Sequence, residues 1–198
     1  MVDLVSPTPL FATPLWRIKA PSPLLAALPG IAKKVEDDLS NGTINASENR
    51  SNFLGAQSQR AYLRESPYLG EQERLMLMQM IKSAIPLGER YGIISWINCS
   101  SSQSHNTAHV HPGAEISAVF YIAVPDGSGM IVFRDPRPQS EMSDLKKKFG
   151  TSIPSLIPRY PVRPEAGDLL LFPSWFMHHV EPGIDQAALR ISMALNIS

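Results

Sequence analysis

Hydrophobic positions in the first part of the chain follow helical spacing. Ile31, Val35 and Leu39 recur every four residues among charged side chains, a spacing typical of a helix with one buried face. The Ser-Asn-Gly segment 40–42 predicts the end of this helix, which we expect to be short. Upstream, the apolar segment 10–18 contains Pro14. Because proline cannot donate a hydrogen bond within a sheet, this segment predicts an edge strand.

A second helix is predicted from Glu71 to about Arg90. Five apolar residues lie near one face of it: Leu75, Met78, Ile81, Ile85 and Leu87. Pro86 should end or kink this helix, because proline lacks the backbone N–H and its ring clashes with the preceding turn. Between the two helices, residues 42–59 are rich in Asn, Ser and Gly and show no periodicity, so we expect a loop there.

The pattern changes after Gly92 to short runs of β-branched and aromatic residues. In order, these runs are IISWIN, ISAVFYIAV, MIVF, LLLF and RISMALNI, and each predicts a strand. We therefore expect a mainly β (α+β) domain in which residues 92–198 form an antiparallel sandwich or barrel. Residues 1–91 form an N-terminal extension, whose edge strand is followed by two helices packed on one outer face. The length of 198 residues fits a single domain.

An insertion at about residues 136–161 interrupts the predicted strands. It includes the charged segment Asp-Leu-Lys-Lys-Lys at 144–148, which predicts a surface excursion. Two interpretations remain open, a lid over a binding site and a solvated connection without a role.

Composition and charge exclude several classes of function. Lys plus Arg and Asp plus Glu number 18 each, so the chain has no overall charge that would attract nucleic acid or an anionic membrane. A single cysteine, Cys99, rules out an internal disulfide framework. The opening MVDLVSPTPLF lacks the features of a secretion signal, and no apolar run approaches the roughly 18 residues of a membrane helix. We expect a cytoplasmic protein, with a homodimer as one alternative for its assembly.

Four of the five histidines form two close pairs in the β region. These are His109 with His111 and His178 with His179. Side chains alternate along a strand, so His109 and His111 should point the same way and present two imidazoles to one point. A third ligand from a distant strand would complete one face of an octahedron and leave three adjacent positions open. The alternative is that these histidines are hydrogen-bonded parts of the core.

Several motifs, taken in order, carry a resemblance to a known family. They are LFATPLW, SWIN, HVHPGAEISAVFYI, FRDPR, GDLLLFPSWFMHHVEP and RISMALN. The chain resembles, over nearly its full length, the Fe(II)/2-oxoglutarate oxygenases of the prolyl-hydroxylase-like kind, and within them a bacterial and phage group. This resemblance implies a double-stranded β-helix of the jelly-roll or cupin-like barrel type. It also implies Fe(II) as the metal and 2-oxoglutarate as the co-substrate.

The resemblance assigns the metal ligands by position. The family pattern is His-x-Asp or His-x-Glu, a distal His, and then Arg-x-Ser on a later strand. Its first His corresponds to His109, its acidic position to His111, and its distal His to His178. His178 is favoured over His179 because the family spacing H-x-V-x-P matches residues 178–182, and strand alternation then turns His179 the other way.

The same resemblance assigns the co-substrate site. Arg190 and Ser192 match the residues that hold the distal carboxylate of 2-oxoglutarate, and a guanidinium fork suits a carboxylate because it binds it bidentately and keeps its charge when buried. Tyr121 matches a tyrosine that donates a hydrogen bond to that carboxylate. Candidate substrate-pocket residues are Trp96, Asn98, Arg134 and Glu115. An alternative for Arg134 is ion pairing with Asp135 and Arg137 at the strand end.

His111 departs from the family pattern, since a neutral imidazole stands where the family has a carboxylate. Three-histidine iron sites occur in cupin dioxygenases, and His109, His111 and Glu115 also fit the cupin pattern H-x-H-x3-E. However, Trp175 and Pro182 occupy positions where the second cupin motif needs Gly and Asn.

We therefore predict an oxygenase of the 2-oxoglutarate type that acts on an unidentified small molecule or on a side chain of a peptide. One alternative is a cupin-like metalloenzyme, either a three-histidine dioxygenase or an isomerase, that does not use 2-oxoglutarate. A second alternative is a non-catalytic barrel, in which the metal is structural or the pocket only binds a ligand. These three classes differ in whether the protein requires 2-oxoglutarate, which makes them separable by experiment.

Overall fold

A computed structural model of the protein describes residues 11–46, 51–88, 90–142, 158–184 and 188–198. Within these ranges the helices are α1 (Ser22–Ser40) and α2 (Glu71–Ala84). The strands are β1 (Trp16–Lys19), β2 (Asn45–Ala46), β3 (Asn52–Phe53), β4 (Ala56–Gln57), β5 (Ala61–Tyr62), β6 (Ile93–Ser100), β7 (His105–His109), β8 (Ile116–Ala123), β9 (Ile131–Arg134), β10 (Arg159–Val162), β11 (Asp168–Pro173), β12 (His178–Val180) and β13 (Arg190–Ile197).

These strands form two antiparallel sheets, and the architecture is that of a double-stranded β-helix. The large sheet has the order β1-β11-β8-β13-β6-β4-β2, with β5 also paired to β6. The small sheet has the order β10-β9-β12-β7-β3. Among the described residues no strand pairing joins the two sheets. The prediction of a mainly β, double-stranded β-helix fold is therefore confirmed, and its two sheets do not close into a continuous barrel within the described residues.

The large sheet is buried on both faces, which explains its continuous apolar strands. Leu169 and Leu171 of β11 pack in the cluster that contains the helices. Leu170 and Phe172 of the same strand pack on the other side, with Phe133 of the small sheet. Because successive side chains alternate faces, an apolar residue is needed at every position of a strand that is covered on both sides. The run LLLF therefore marks a central strand.

Helices α1 and α2 cover the outer face of the large sheet, as predicted. α1 contacts β8, and α2 contacts β11. The prediction of a short first helix was wrong, because α1 begins at Ser22 and its buried stripe extends upstream through Leu24 and Leu28. Pro29, inside the helix, interrupts the helical pattern of the sequence because it lacks an N–H donor. No helix in the described part of the chain is both long and apolar enough to cross a membrane.

The buried face of α2 agrees in part with the predicted one, because Met78, Ile81, Ile85 and Leu87 all pack in or against the core. The helix ends at Ala84 and not near Arg90, so the predicted length was wrong, and the end lies two residues before Pro86, which was expected to end or kink the helix. Its buried residues are Leu77, Met80 and Ile81, whereas Leu75 is 58% exposed. Two apolar stripes with helical spacing overlap in this segment, and periodicity alone does not indicate which of them meets the sheet.

The remaining segments agree with the sequence predictions only in part. The segment 10–18 contributes most of β1, which within the described residues pairs with β11 alone and so is an edge strand, as expected. The predicted loop at 42–59 contains β2, β3 and β4, which at two residues each are too short to show periodicity. Part of the insertion at 136–161 forms β10, which pairs with β9. The charged segment 144–148 lies outside the described residues, so its role as a lid or a connection stays a prediction.

Candidate metal centre and its cavity

Three histidines converge between the ends of two paired strands of the small sheet. His109 ends β7, and it lies opposite His178, which begins β12. His111 lies in the turn after β7 rather than on the strand. The backbone N–H of His111 is held by the carbonyl oxygen of Ser174 at 2.9 Å. The potential ligand atoms of the three rings all lie within 4.8 Å of one another. This group could hold a metal ion.

Backbone carbonyl groups orient two of the three rings. Nδ1 of His109 donates to the carbonyl oxygen of Thr107 at 2.7 Å, and Nδ1 of His178 donates to that of Phe176 at 2.9 Å. Because a carbonyl only accepts, Nδ1 of each ring must carry the hydrogen and Nε2 must be the free lone pair.

The spacing of the free nitrogens also suits a metal. Nε2 of His111 lies 3.4 Å from Nε2 of His178. Two nitrogens bound at right angles to one ion, with bonds of about 2.1 Å, would be roughly 3 Å apart. The two rings therefore need little adjustment to share an ion.

Burial keeps these imidazoles neutral, which is the form that binds metals. Removal from water lowers the pKa of His178 to about 3 and that of His111 to about 4. The pKa of His109 is also lowered, again mainly by burial. In the described part of the chain no Asp or Glu joins the group. The donor set is therefore three neutral nitrogens, which suits a borderline divalent metal such as iron.

The histidines lie in a cavity of about 420 Å³ that is lined by both sheets. Five of the other candidate residues line the same cavity: Trp96, Asn98, Tyr121, Arg190 and Ser192. A polar row crosses the floor of the cavity, because the strand registers pair Gln57 with Asn98, Asn98 with Ser192, and Ser192 with Tyr121. This polar row consists of residues on β4, β6, β13 and β8. The face of the large sheet turned away from the helices therefore carries the chemistry.

Arg190 is a buried cation at one end of this cavity. Its side chain is 5% exposed, and it donates to the carbonyl oxygen of Gly129 at 3.0 Å and to Oγ of Ser100 at 3.2 Å. No carboxylate of the described residues forms an ion pair with it. Burial lowers its pKa, and a buried charge without a counter-charge is costly. An anionic ligand would remove that cost.

Tyr121 lines the same cavity as Arg190. The tyrosine is buried, and its burial raises the pKa of the phenol to about 12. It therefore stays protonated and can donate a hydrogen bond. Ser192, its partner in the polar row, adds a hydroxyl group at the same end of the cavity.

Two candidate pocket residues and one histidine lie elsewhere. Glu115 is exposed, and neither Glu115 nor Arg134 lines the cavity. Asp135 pairs with Arg137 at 2.7 Å, whereas Nε of Arg134 is buried without a hydrogen bond. His179 is outside the histidine group and lies near Arg134. Neighbouring side chains of a strand point to opposite faces. Because the side chain of His178 points toward the histidine group, that of His179 points away from it.

Gln57 and Arg60 are among the cavity residues that sequence reasoning missed. Nε2 of Gln57 donates to Oδ1 of Asn98 at 2.7 Å. The guanidinium carbon of Arg60 lies 4.6 Å from the centre of the Trp96 ring. Gln57 belongs to the segment 42–59, which has no periodicity, and Arg60 directly follows that segment. The pairing of β4 and β5 with β6 brings both residues to the cavity. No local sequence signal could have identified them.

Comparisons with known proteins agree with this geometry. A family model described as "Putative 2OG-Fe(II) oxygenase" matches residues 94–196, just over half of the chain. None of the curated proteins matches the sequence.

Solved structures share the fold at low identity. A prolyl-4-hydroxylase from Pseudomonas putida is 16% identical, with a TM-score of 0.62 over 93% of this chain and 92% of that one. A prolyl hydroxylase from Trichoplax adhaerens, in complex with a peptide fragment of the hypoxia inducible factor oxygen degradation domain, is 15% identical. Its TM-score is 0.59 over 92% of this chain and 82% of that one. SnoN, a non-heme alpha ketoglutarate dependent epimerase from nogalamycin biosynthesis, is 12% identical, with a TM-score of 0.62 over 94% and 78%.

The family implies Fe(II) and 2-oxoglutarate, and the residues present fit both. Three imidazole nitrogens with free lone pairs suit the metal, and the buried guanidinium of Arg190 suits a carboxylate. Residues 94–196, which the family model matches, include the three histidines, Tyr121, Arg190 and Ser192. This chain belongs to the 2OG-Fe(II) oxygenase family of oxidoreductases.

Proposed function

We propose that the chain is a hydroxylase-type dioxygenase in which His109, His111 and His178 hold Fe(II). It acts on an unidentified small molecule or on a side chain of a peptide. One observation carries the proposal: three imidazole donors within 4.8 Å share a cavity with a buried guanidinium that has no carboxylate partner among the described residues. The first feature suits a metal, and the second suits the co-substrate.

The histidines serve to hold the metal on one side and leave the other side open. When bound, Fe(II) and 2-oxoglutarate supply the oxidising chemistry. The hydrogen bonds from His109 to Thr107 and from His178 to Phe176 fix the direction of each Nε2 before the metal arrives. Three protein ligands leave three positions of an octahedron for co-substrate and oxygen.

Arg190 would bind the distal carboxylate of 2-oxoglutarate. Its two hydrogen bonds, to Gly129 and Ser100, hold the guanidinium in place, so little side-chain freedom is lost when the ligand binds. Tyr121 and Ser192 supply hydroxyl donors beside it. The rest of the polar row, together with Trp96, is left for the substrate.

The test is succinate formation from 2-oxoglutarate with Fe(II) and oxygen, measured for the full chain and for Arg190→Lys. A lysine keeps the charge but loses the fork, so we expect the concentration of 2-oxoglutarate required to rise by about 10-fold or more. Arg64→Lys is the matched control, because Arg64 is exposed and outside this cavity. An unchanged requirement in Arg190→Lys would contradict the proposed carboxylate site.

A second function is favoured because no acidic residue that the structure describes joins the histidine group. A three-histidine dioxygenase or an isomerase would need no 2-oxoglutarate. Anaerobic addition of Fe(II) and 2-oxoglutarate separates the two, because chelation of the metal by the co-substrate should give a weak visible charge-transfer band. We expect that band in the parent protein and not in His178→Ala.

A further inference from the structure

The cavity carries more positive charge than the metal and co-substrate can balance. Fe(II) and 2-oxoglutarate have equal and opposite charges, and the three neutral histidines add none. Arg190 and Arg60 both line the cavity, and none of the described lining residues is acidic. This inference rests on the proposed function. When metal and co-substrate are both bound, the positive charges of Arg190 and Arg60 remain in the cavity. A remaining ligand of negative charge is therefore favoured.

Arg60 is the cation that the co-substrate does not require. It lies between β4 and β5, and its guanidinium stacks over Trp96 with 4.6 Å between the guanidinium carbon and the ring centre. The Trp96 ring in turn lies 6.1 Å from the ring of His111. The guanidinium of Arg60 therefore packs on the Trp96 ring, beside the candidate metal ligand His111.

The hydrogen-bond donors of Arg60 are available to a ligand. Its side chain is exposed, and no carboxylate of the described residues pairs with it. Stacking on an aromatic ring occupies the flat face of a guanidinium and leaves the N–H groups at its edge free. A carboxylate at that edge would be bound by two parallel hydrogen bonds.

We propose that Arg60 binds a carboxylate of the primary substrate, so that this oxygenase acts on an anionic substrate. Gln57 and Asn98, hydrogen-bonded to each other in the adjoining polar row, form the neutral polar wall beside that carboxylate. A carboxylate fits better than a phosphate. Phosphate sites commonly use the N–H groups at a helix N-terminus or of a glycine-rich loop, and α1 and α2 lie on the opposite face of the large sheet.

The experiment uses pairs of ligands that differ in charge but hardly in size. The pairs are aspartate with asparagine and glutamate with glutamine, each as the free amino acid and within an acetylated, amidated tetrapeptide. Binding to the full chain, loaded anaerobically with Fe(II) and 2-oxoglutarate, is measured by calorimetry. The two formats distinguish a free acid from an acidic side chain of a peptide, and binding in either format supports the proposal.

We expect at least one acid to bind about 10-fold or more tightly than its amide, since a hydrogen bond to a charged group contributes more than one between neutral groups. Arg60→Gln should remove that preference, and Arg60→Lys should keep part of it. Arg64→Gln is the matched control, because Arg64 stacks on Tyr62 at 4.8 Å in the same manner but outside the cavity. Thermal unfolding of each variant verifies that it is folded.

Three results would overturn the proposal: no acid binds, amides bind as tightly as acids, or Arg60→Gln leaves acid binding unchanged. The charge-transfer band separates this failure from that of the proposed function. If the parent protein gives the band but shows no preference for acids, only the role of Arg60 is wrong. If the parent protein gives no band, the proposed function itself is wrong.

Discussion

The residue that most distinguishes this site is His111. It occupies the position where the family pattern has an acidic ligand, and its Nε2 lies 3.4 Å from Nε2 of His178. A carboxylate there would remove one positive charge from the metal site, whereas a neutral imidazole leaves the full charge of the ion. The whole chain has no net charge. Its cavity, however, is lined by two arginines and by no acidic residue that the structure describes, so positive charge is concentrated there.

Substitution of His111 tests whether it is a ligand. In His111→Ala we expect Fe(II) affinity to fall by about 10-fold or more, because one nitrogen donor is lost. His111→Asp supplies an oxygen donor in place of the lost nitrogen and should recover most of the Fe(II) affinity. Anaerobic calorimetric titration with Fe(II) measures both. His179→Ala is the control, since His179 adjoins His178 on β12 but lies outside the group. Parent-like affinity in His111→Ala would exclude it as a ligand.

At the scale of elements, the connection between β8 and β9 links the two sheets and positions Arg190. The carbonyl oxygen of Gly129, in this connection, accepts a hydrogen bond from Arg190. On the other side, the chain after β12 passes so closely that a Cβ at position 129 would overlap the backbone carbonyl group of Glu181. Glu181 is itself held by a backbone hydrogen bond to Met130 at 2.9 Å. Glycine is therefore needed here for close approach of two backbones.

Gly129→Ala should shift this connection, because the obstructing atoms are backbone atoms that cannot rotate away. We expect a loss of about 1–3 kcal/mol in the free energy of unfolding, with a higher requirement for 2-oxoglutarate as the Gly129 carbonyl moves away from Arg190. Urea denaturation and succinate formation measure the two effects. At Gly88 an added Cβ meets nothing within 4 Å, so Gly88→Ala is the control. A stable Gly129→Ala with parent-like kinetics would show that the connection is not constrained.

At the scale of the whole molecule, Asp168 joins the N-terminal extension to the β core. It is fully buried at the start of β11. On β1, Arg17 and Lys19 reach its carboxylate at 2.6 and 2.7 Å, and the backbone N–H of Glu165 donates to it at 2.7 Å. Burial alone would raise the pKa of Asp168, but the hydrogen bonds from these partners outweigh it and the pKa is lowered.

This pairing predicts a pH-dependent stability. A carboxyl group with a lowered pKa in the folded state contributes stability above its ordinary pKa of 3.8, and the contribution is lost as pH falls through the lowered value. We expect Asp168→Asn to reduce the free energy of unfolding by roughly 2 kcal/mol at pH 7. The difference from the parent should narrow once the pH is below 3.8. Urea denaturation from pH 2 to 7 measures this change.

Asp37→Asn serves as the control for that series. Asp37 pairs with Lys33 one turn away on α1, and both side chains are exposed, so its loss should cost less than about 0.5 kcal/mol. A constant difference between Asp168→Asn and the parent across the whole pH range would contradict the assigned role of Asp168.

The sequence by itself determined the features that depend on local pattern. The runs that became β6, β8, β9, β11 and β13 were recognisable because a buried strand needs consecutive apolar residues. Pro86 indicated an end or a kink of α2, although the predicted helix ran further, to about Arg90, than the observed one. The histidine and arginine motifs, in their order along the chain, carried the resemblance to the family, and that resemblance implied the fold and the cofactors.

Only the tertiary structure decided the features that depend on partners distant in sequence. β7 and β12, with the sequences HNTAH and HHV, have no strand pattern of their own and form by pairing with each other and with their neighbours. The buried face of α2 was set by the sheet beneath it. Arg60 reached Trp96 only because β4 and β5 pair with β6. The physical reason is the same in each case: these residues gain their hydrogen bonds and packing from segments far along the chain, and no local pattern records that pairing.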